Sequence, residues 1–310
     1  MSIEQVESVL DELGHYLLGK RRQLEYALTC LLARGHLPIE DVPGVGKTTL
    51  AKSMAHSFEA QFNRVQCTSD LLPSDLIGVT VFRQSKEAFE FQPGPIFTNV
   101  LLADEINRAN PKTQSALLEA MHDGQISHDG TTMPLPKPFF VIATQNSKDQ
   151  HGTFPLPESQ LDRFLVKIKL GYPNEEFEKQ VIKGEYRSDH SQFKSLSKAD
   201  LMKLQDEVTQ IYVADELLDY MYRLVDQSRN YPGIKVGVSP RGGQYLYRSC
   251  QALAYVRGRD FVSPDDVREM TPLVCCHRII VKQAGLHDGG GMDISEKLFR
   301  EILETVAAPE

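Results

Sequence analysis

Apolar residues recur along this chain in two rhythms, and the change between them divides it. Segments 37–39, 64–67, 100–103 and 139–143 read as short strands, while Leu50, Ala51, Met54 and Phe58 repeat on one side of a helix. Buried strands separated by helical stretches predict a parallel sheet covered on both faces. Pro38 removes a donor from what should be an inner strand, so that strand is expected to be short or locally unpaired there. Helices are predicted over 3–13 and 20–32, joined across 14–19. Residues 78–97 and 124–139 each hold two alternating segments around a polar turn, at 84–87 and at Asp129-Gly130, and predict hairpins set on the sheet rather than in it. From Pro173 the strand pattern stops and helices are expected, with starts signed by Ser197 and Asp200, by Ser239 before Pro240, and by Ser263 before Pro264. The expectation is an α/β domain over 1–172 followed by an all-helical domain over 173–310, with a flexible linker at 285–293.

Charge narrows the functions open to such a chain. With 34 basic and 42 acidic residues the net charge is −8, which leaves no basic stripe for a nucleic-acid backbone and disfavours that partner. No apolar run approaches a membrane span, and the first residues resemble neither a signal nor a transit peptide. Five cysteines, with no C-x-x-C pair, read as reduced thiols of a cytoplasmic protein. The pairs His122-Asp123, His128-Asp129 and His287-Asp288 each precede glycine, and turn residues are expected there rather than metal ligands.

The chemistry centres on Asp41 to Thr49, reading DVPGVGKTT between a strand and a helix. A glycine-rich turn there gathers backbone N–H groups and the positive end of a helix dipole around one point, which suits a triphosphate. Gly44, Val45, Gly46, Lys47, Thr48 and Thr49 would cradle it, with Lys47 at the outer phosphates and the Thr48 hydroxyl on magnesium. Asp41 stands where the general pattern has its first glycine, and tolerates the bend less freely. The strand 100–103 ends in Asp104-Glu105, beside the phosphate loop in an open parallel sheet. Asp104 would serve the metal, and Glu105 would orient or deprotonate a water. Asn146, after the strand 139–143, offers an uncharged amide to the γ-phosphate or the water, although taken alone it reads first as a strand-end cap. Arg163, anchored by Leu161, Phe164 and Leu165, reads either as a surface ion-pair residue or as a charge supplied to a neighbouring subunit's nucleotide. Leu18 and Gly19 lie about where backbone would meet an adenine ring.

In that order and spacing these residues, with Arg241 in VSPRGG, resemble the AAA+ ATPases. The phrases EDVPGVGKTTLA, QPGPIFTNVLLADEINRANPKTQSALLEAM, ATQNS and GTFPLPESQLDRF resemble more narrowly the MoxR family of that superfamily, over residues 18–278. The resemblance implies a nucleotide-binding αβα domain with a helical lid, ATP and Mg2+ as cofactors, and a homo-oligomeric ring, hexameric by analogy. It implies ATP-driven remodelling or maturation of client proteins, often with a partner carrying a von Willebrand factor A domain. It makes Lys47 and Thr48 the Walker A residues, Asp104 and Glu105 the Walker B pair, Asn146 sensor 1, Arg163 the arginine finger and Arg241 sensor 2, with Arg108 a further contact to a neighbour. The two hairpins resemble inserts that face an axial channel. Core packing is expected for at least two of Phe82, Phe89 and Phe91, and substrate contact for the remainder. A nucleic-acid motor of the same insert-bearing clade is the alternative, and a nucleotide-gated scaffold a third reading.

Overall fold

In the computed structural model, which describes residues 2–146, 152–187, 189, 193–282 and 291–309, helices α1 (Ser2–Gly14) and α2 (Arg21–Leu32) precede strand β1 (Leu37–Glu40), helix α3 (Lys47–His56) and strand β2 (Phe62–Gln66). A short helix α4 (Pro73–Ile77) leads into the hairpin of β3 (Gly78–Arg83) and β4 (Ala88–Pro93), and the chain re-enters the sheet as β5 (Val100–Asp104). After α5 (Pro111–Asp123) comes a second hairpin, β6 (Gln125–His128) with β7 (Thr131–Pro134), and then β8 (Phe140–Gln145). Strands β1, β8, β5 and β2 pair in that order, all parallel. Ile168 adds a parallel bridge to Ile39 on the outer side of β1.

The alternation of side chains explains why β5 and β8 carry no polar face. Val100, Leu102, Phe140 and Ile142 enter a core shared with α1, α2 and α3, whereas Leu101, Ala103, Val141 and Ala143 enter a second core with Leu117 and Leu118 of α5. Successive residues of one strand therefore feed opposite layers. Pro38 is tolerated for a related geometric reason. Its carbonyl accepts from Ile168 N at 3.2 Å and Glu40 N donates to Ile168 O, while Leu37 and Ile39 alternate toward β8. The donor that proline lacks thus falls on the Ile168 side, where pairing is reduced to a bridge.

The remaining elements are α6 (Glu158–Leu161), α7 (Glu175–Lys183), α8 (Lys198–Val208), α9 (Asp215–Asn230), β9 (Ile234–Val236), α10 (Pro240–Val256), α11 (Pro264–Cys275), β10 (Ile280–Val281) and α12 (Gly291–Thr305). Ser197, Ser239 and Ser263 cap α8, α10 and α11 through bonds from Asp200 N, Gly242 N and Asp266 N, each cap contributing about 1 kcal/mol. Two strands, β9 and β10, form an antiparallel strip among these helices, too short to leave a period in the sequence. Helix α10 lies against α2 as well as α11, so the helical part continues the core on that face of the sheet. His122-Asp123 closes α5 rather than lying in a turn, while Asp129 and Gly130, at φ 48° and 75°, form the second hairpin's turn. Residues 283–290, with His287-Asp288, lie outside the described residues, and positions 291–293 of the expected linker open α12.

Candidate active site

The loop between β1 and α3 places its left-handed residues at Gly44 (φ 85°) and Gly46 (φ 98°), where a side chain would be strained. Asp41 is not among the residues with positive φ, so the first loop position needs no glycine here. Its carboxylate instead accepts from Val42 N at 2.8 Å, and its carbonyl accepts from Lys47 Nζ at 2.8 Å. Gly44, Gly46, Lys47, Thr48 and Thr49 form one wall of a cavity of about 440 Å³, and Asp104, Glu105 and Asn146 form another. The second wall exists because β5 and β8 are neighbours and end at the same level, as expected for a ligand site at the carboxyl edge of a parallel sheet.

The carboxylates on that wall are held by Arg64, Gln66 and Thr144, which sequence reasoning missed, and by Arg108. Asp104 accepts from Thr144 Oγ1 and from Arg64 Nη2, both at 2.5 Å. Thr144 Oγ1 in turn accepts from Glu105 N at 2.9 Å. Glu105 sits at φ 56°, and its Oε2 accepts from Gln66 Nε2 and Arg108 Nη1, each at 3.2 Å. Arg108 therefore contacts Glu105 of its own chain. Arg64 and Gln66 are alternate residues of β2, and Gln66 stands opposite Asp104 in the register. The i, i+2 spacing was visible in the sequence, but which strand it faced was not. Burial lowers the pKa of Lys47, and the carboxylates of Asp41, Asp104 and Glu105 oppose that shift. The Thr48 hydroxyl and the Asp104 carboxylate make an all-oxygen donor set on facing walls, which fits magnesium better than a softer metal.

A second cavity, of about 200 Å³, adjoins the first across Gly44, Gly46 and Thr49. Leu18 and Val45 line it with Tyr16, Lys20, Pro173, Val181 and Tyr186. Gly19 flanks it, its backbone so close to α7 that a Cβ would fall 2.3 Å from Phe177.

Arg163 and Arg241 line neither cavity. Both lie beside Asp162, which accepts from Ser239 Oγ at 3.2 Å and Arg278 Nε at 3.0 Å, with Arg241 Nη1 at 3.8 Å. The Arg278 side chain is 1% exposed. It also donates to the carbonyls of Leu165, Phe164 and Val274, and stacks over the Tyr245 ring. Burial lowers its pKa, against the pull of Asp162. The residue before Arg163 is thus bolted to the helical part of the molecule by a pairing across 116 positions.

At the first hairpin the expectation for the phenylalanines needs correction. Phe82 and Phe89 are 55% and 73% exposed and pair with each other, whereas only Phe91 packs on neighbours, against Phe97 and His128. A two-stranded insert has no second layer to cover its tip. Arg83 and Lys86 both pair with Glu90, at 2.9 and 2.5 Å. Thr80 Oγ1 meets His128 Nε2 and Asp129 Oδ2 at 3.1 Å, joining the two hairpins.

Comparison with known proteins gives the family and the fold. Residues 36–166 match the ATPase family associated with various cellular activities (AAA), and residues 226–298 match the AAA lid domain. The chain is 42% identical to the uncharacterized protein YeaC of Bacillus subtilis, over 97% of this chain and 93% of that protein. It is 39% identical to chaperone MoxR1 of Mycobacterium tuberculosis, over 99% of this chain and 83% of that one. A crystal structure of a candidate ATPase from Cytophaga hutchinsonii superposes with a TM-score of 0.90 at 34% identity, covering 100% of this chain and 96% of the other.

Proposed function

The chain belongs to the MoxR family of AAA+ ATPases, and from that premise we propose that it hydrolyses ATP within a hexameric homo-oligomeric ring to remodel, activate or mature partner proteins. The observation that carries this reading is the convergence of Lys47, Thr48, Asp104, Glu105 and Asn146 on one cavity. Residues 1–172 form the nucleotide-binding domain in this account, and residues 173–310 the lid. Thr48 and Asp104 would hold a magnesium ion, which would supply positive charge to the phosphate oxygens. Lys47 leaves the Asp41 carbonyl to neutralise the outer phosphates, while the loop N–H groups and the start of α3 bind the inner ones. Glu105 leaves Gln66 and Arg108 to orient or deprotonate the attacking water, and Asn146 hydrogen-bonds the γ-phosphate or that water. We assign Arg163 and Arg241 to the nucleotide of a neighbouring subunit, because their own chain's cavity contains neither.

The protein-remodelling reading is supported by the family and by a relative named as a chaperone. A partner with a von Willebrand factor A domain and a cytoplasmic location rest on the family resemblance. Among the described residues, no helix is long and apolar enough to cross a membrane. A nucleic-acid motor is less favoured, since the cations of the exposed hairpin are spent on Glu90. Titration of the purified chain with ATP and Mg2+, alongside phosphate release, tests the proposal. The wild type binds and hydrolyses, while Lys47→Ala loses binding itself. Wild-type affinity in a folded Lys47→Ala variant contradicts the phosphate-loop assignment.

A further inference from the structure

The linker that leaves the sheet for α7 is held residue by residue. Lys20 Nζ donates to Leu170 O at 2.8 Å and to Tyr172 O at 2.6 Å, and the Gly171 N–H between them donates to Asp41 Oδ2 at 2.6 Å. Lys20 is 6% exposed. A buried ammonium is costly unless it is neutralised and hydrogen-bonded, and the two carbonyls with the nearby Asp41 carboxylate meet that need. Asp41 is also the first residue of the phosphate loop. Its carbonyl holds Lys47 Nζ, and its N–H donates to Gln145 O at the end of β8, next to Asn146. One aspartate therefore touches the loop lysine, the strand leading to Asn146 and the linker.

What springs from this linker is α7, none of whose residues is buried. Its Val181 nonetheless lines the second cavity, together with Pro173 and Tyr186 from the segments flanking the helix and with Leu18 and Val45. Its far end is tied down by Arg187, which pairs with Glu12 at 2.9 Å. Besides the half-buried Phe177, packed on Gly19, the helix has its ends to hold it, and belongs to the easily opened part of a fold.

We propose that Lys20 and Asp41 are positioning residues for nucleotide binding. By clamping residues 170–172 they set α7 as the wall against the nucleobase, and through Asp41 they fix that wall to the phosphate loop. The inference rests on the nucleotide reading above and adds which residues place the base-side wall.

Titration calorimetry of the full chain with Mg2+ and either ATP or inorganic tripolyphosphate separates the two sides, since only ATP carries a base. In the wild type ATP binds more tightly than tripolyphosphate. In Asp41→Gly and in Lys20→Met the ratio of the two affinities falls by about tenfold, as expected for losing a charge-assisted contact. Asp41→Asn keeps an acceptor for Gly171 N–H and stays closer to the wild-type ratio. Hydrogen exchange over residues 175–183 is slowed by ATP in the wild type and not in Asp41→Gly. An unchanged ratio with unchanged ATP protection of α7 in folded Asp41→Gly overturns the inference, and so does an equal loss of both ligands. If Lys20→Met does not fold, the two Asp41 variants decide. A wild type that binds neither ligand overturns the nucleotide reading instead.

Discussion

Around the phosphate cavity the polar groups of four elements converge on a space, whereas around Asp162 they converge on one another. Asp104 and Glu105 accept from Arg64 and Arg108, each 48% exposed, and those contacts can be exchanged for a ligand's at little cost, while the buried Thr144 keeps Asp104 in place. Asp162 is held by Arg278, which is sealed from solvent and also bound to backbone carbonyls. The first arrangement is a receptacle and the second a mount. Arg163 and Arg241 stand on the mount, outside their own receptacle, which is why the proposed reaction draws their charge from a second subunit.

The largest effect is expected at Arg163. Arg163→Ala is expected to keep nucleotide affinity and lose about 10³-fold or more in turnover. Glu105→Gln also binds ATP, and loses about 10²- to 10⁴-fold. Mixing the two variants recovers part of the hydrolysis, because a contact between an intact cavity and an intact arginine forms only in hybrids. No recovery in rings verified to be mixed contradicts action across the contact.

Stability separates the two regions next. Arg278→Met strands a carboxylate and several carbonyls, and should cost about 3–5 kcal/mol in denaturant unfolding, whereas Arg64→Met should cost about 1 kcal/mol or less. Similar costs for the two would erase the distinction between mount and receptacle. A smaller effect probes the amino-terminal edge of the sheet, at the end away from the phosphate cavity. His36 is buried where Nδ1 accepts from Val141 N and the other ring nitrogen donates to Met121 O, and burial lowers its pKa to about 4. Below about pH 6.5 the unfolded chain takes up a proton that the folded one refuses, so its contribution is present at neutral pH and lost as pH falls toward 4, by roughly 3 kcal/mol. His277, buried beside Arg278, shifts in the same direction. His36→Gln should flatten the slope of stability against pH in that window, and an unchanged slope assigns the acid sensitivity elsewhere.

Much of the receptacle was legible because each piece is a local pattern. The glycines and lysine of 44–47 are contiguous, and Asp104-Glu105 and Asn146 each follow an apolar run that could only be a strand buried on both faces. Strand β2 was read less well, as 64–67 instead of Phe62–Gln66, because an edge strand carries Asn63, Arg64 and Gln66 and breaks the apolar run. The support given by Arg64, Gln66 and Thr144 needed the register between strands, which no single segment encodes. The bond from Asp162 to Arg278 joins residues far apart in the chain, and the role of Asp41 reads in sequence only as a departure from glycine. Phe82 and Phe89 were misjudged because alternation marks a strand without saying whether anything covers it.

If catalysis is completed at the contact between subunits, the ATPase rate per chain depends on assembly, and a dilution series with assembly state followed in parallel by light scattering measures that dependence. The rate per chain is then expected to fall as rings dissociate and to return on concentration. A lone monomer hydrolysing ATP at the full rate, unchanged by dilution, would contradict it.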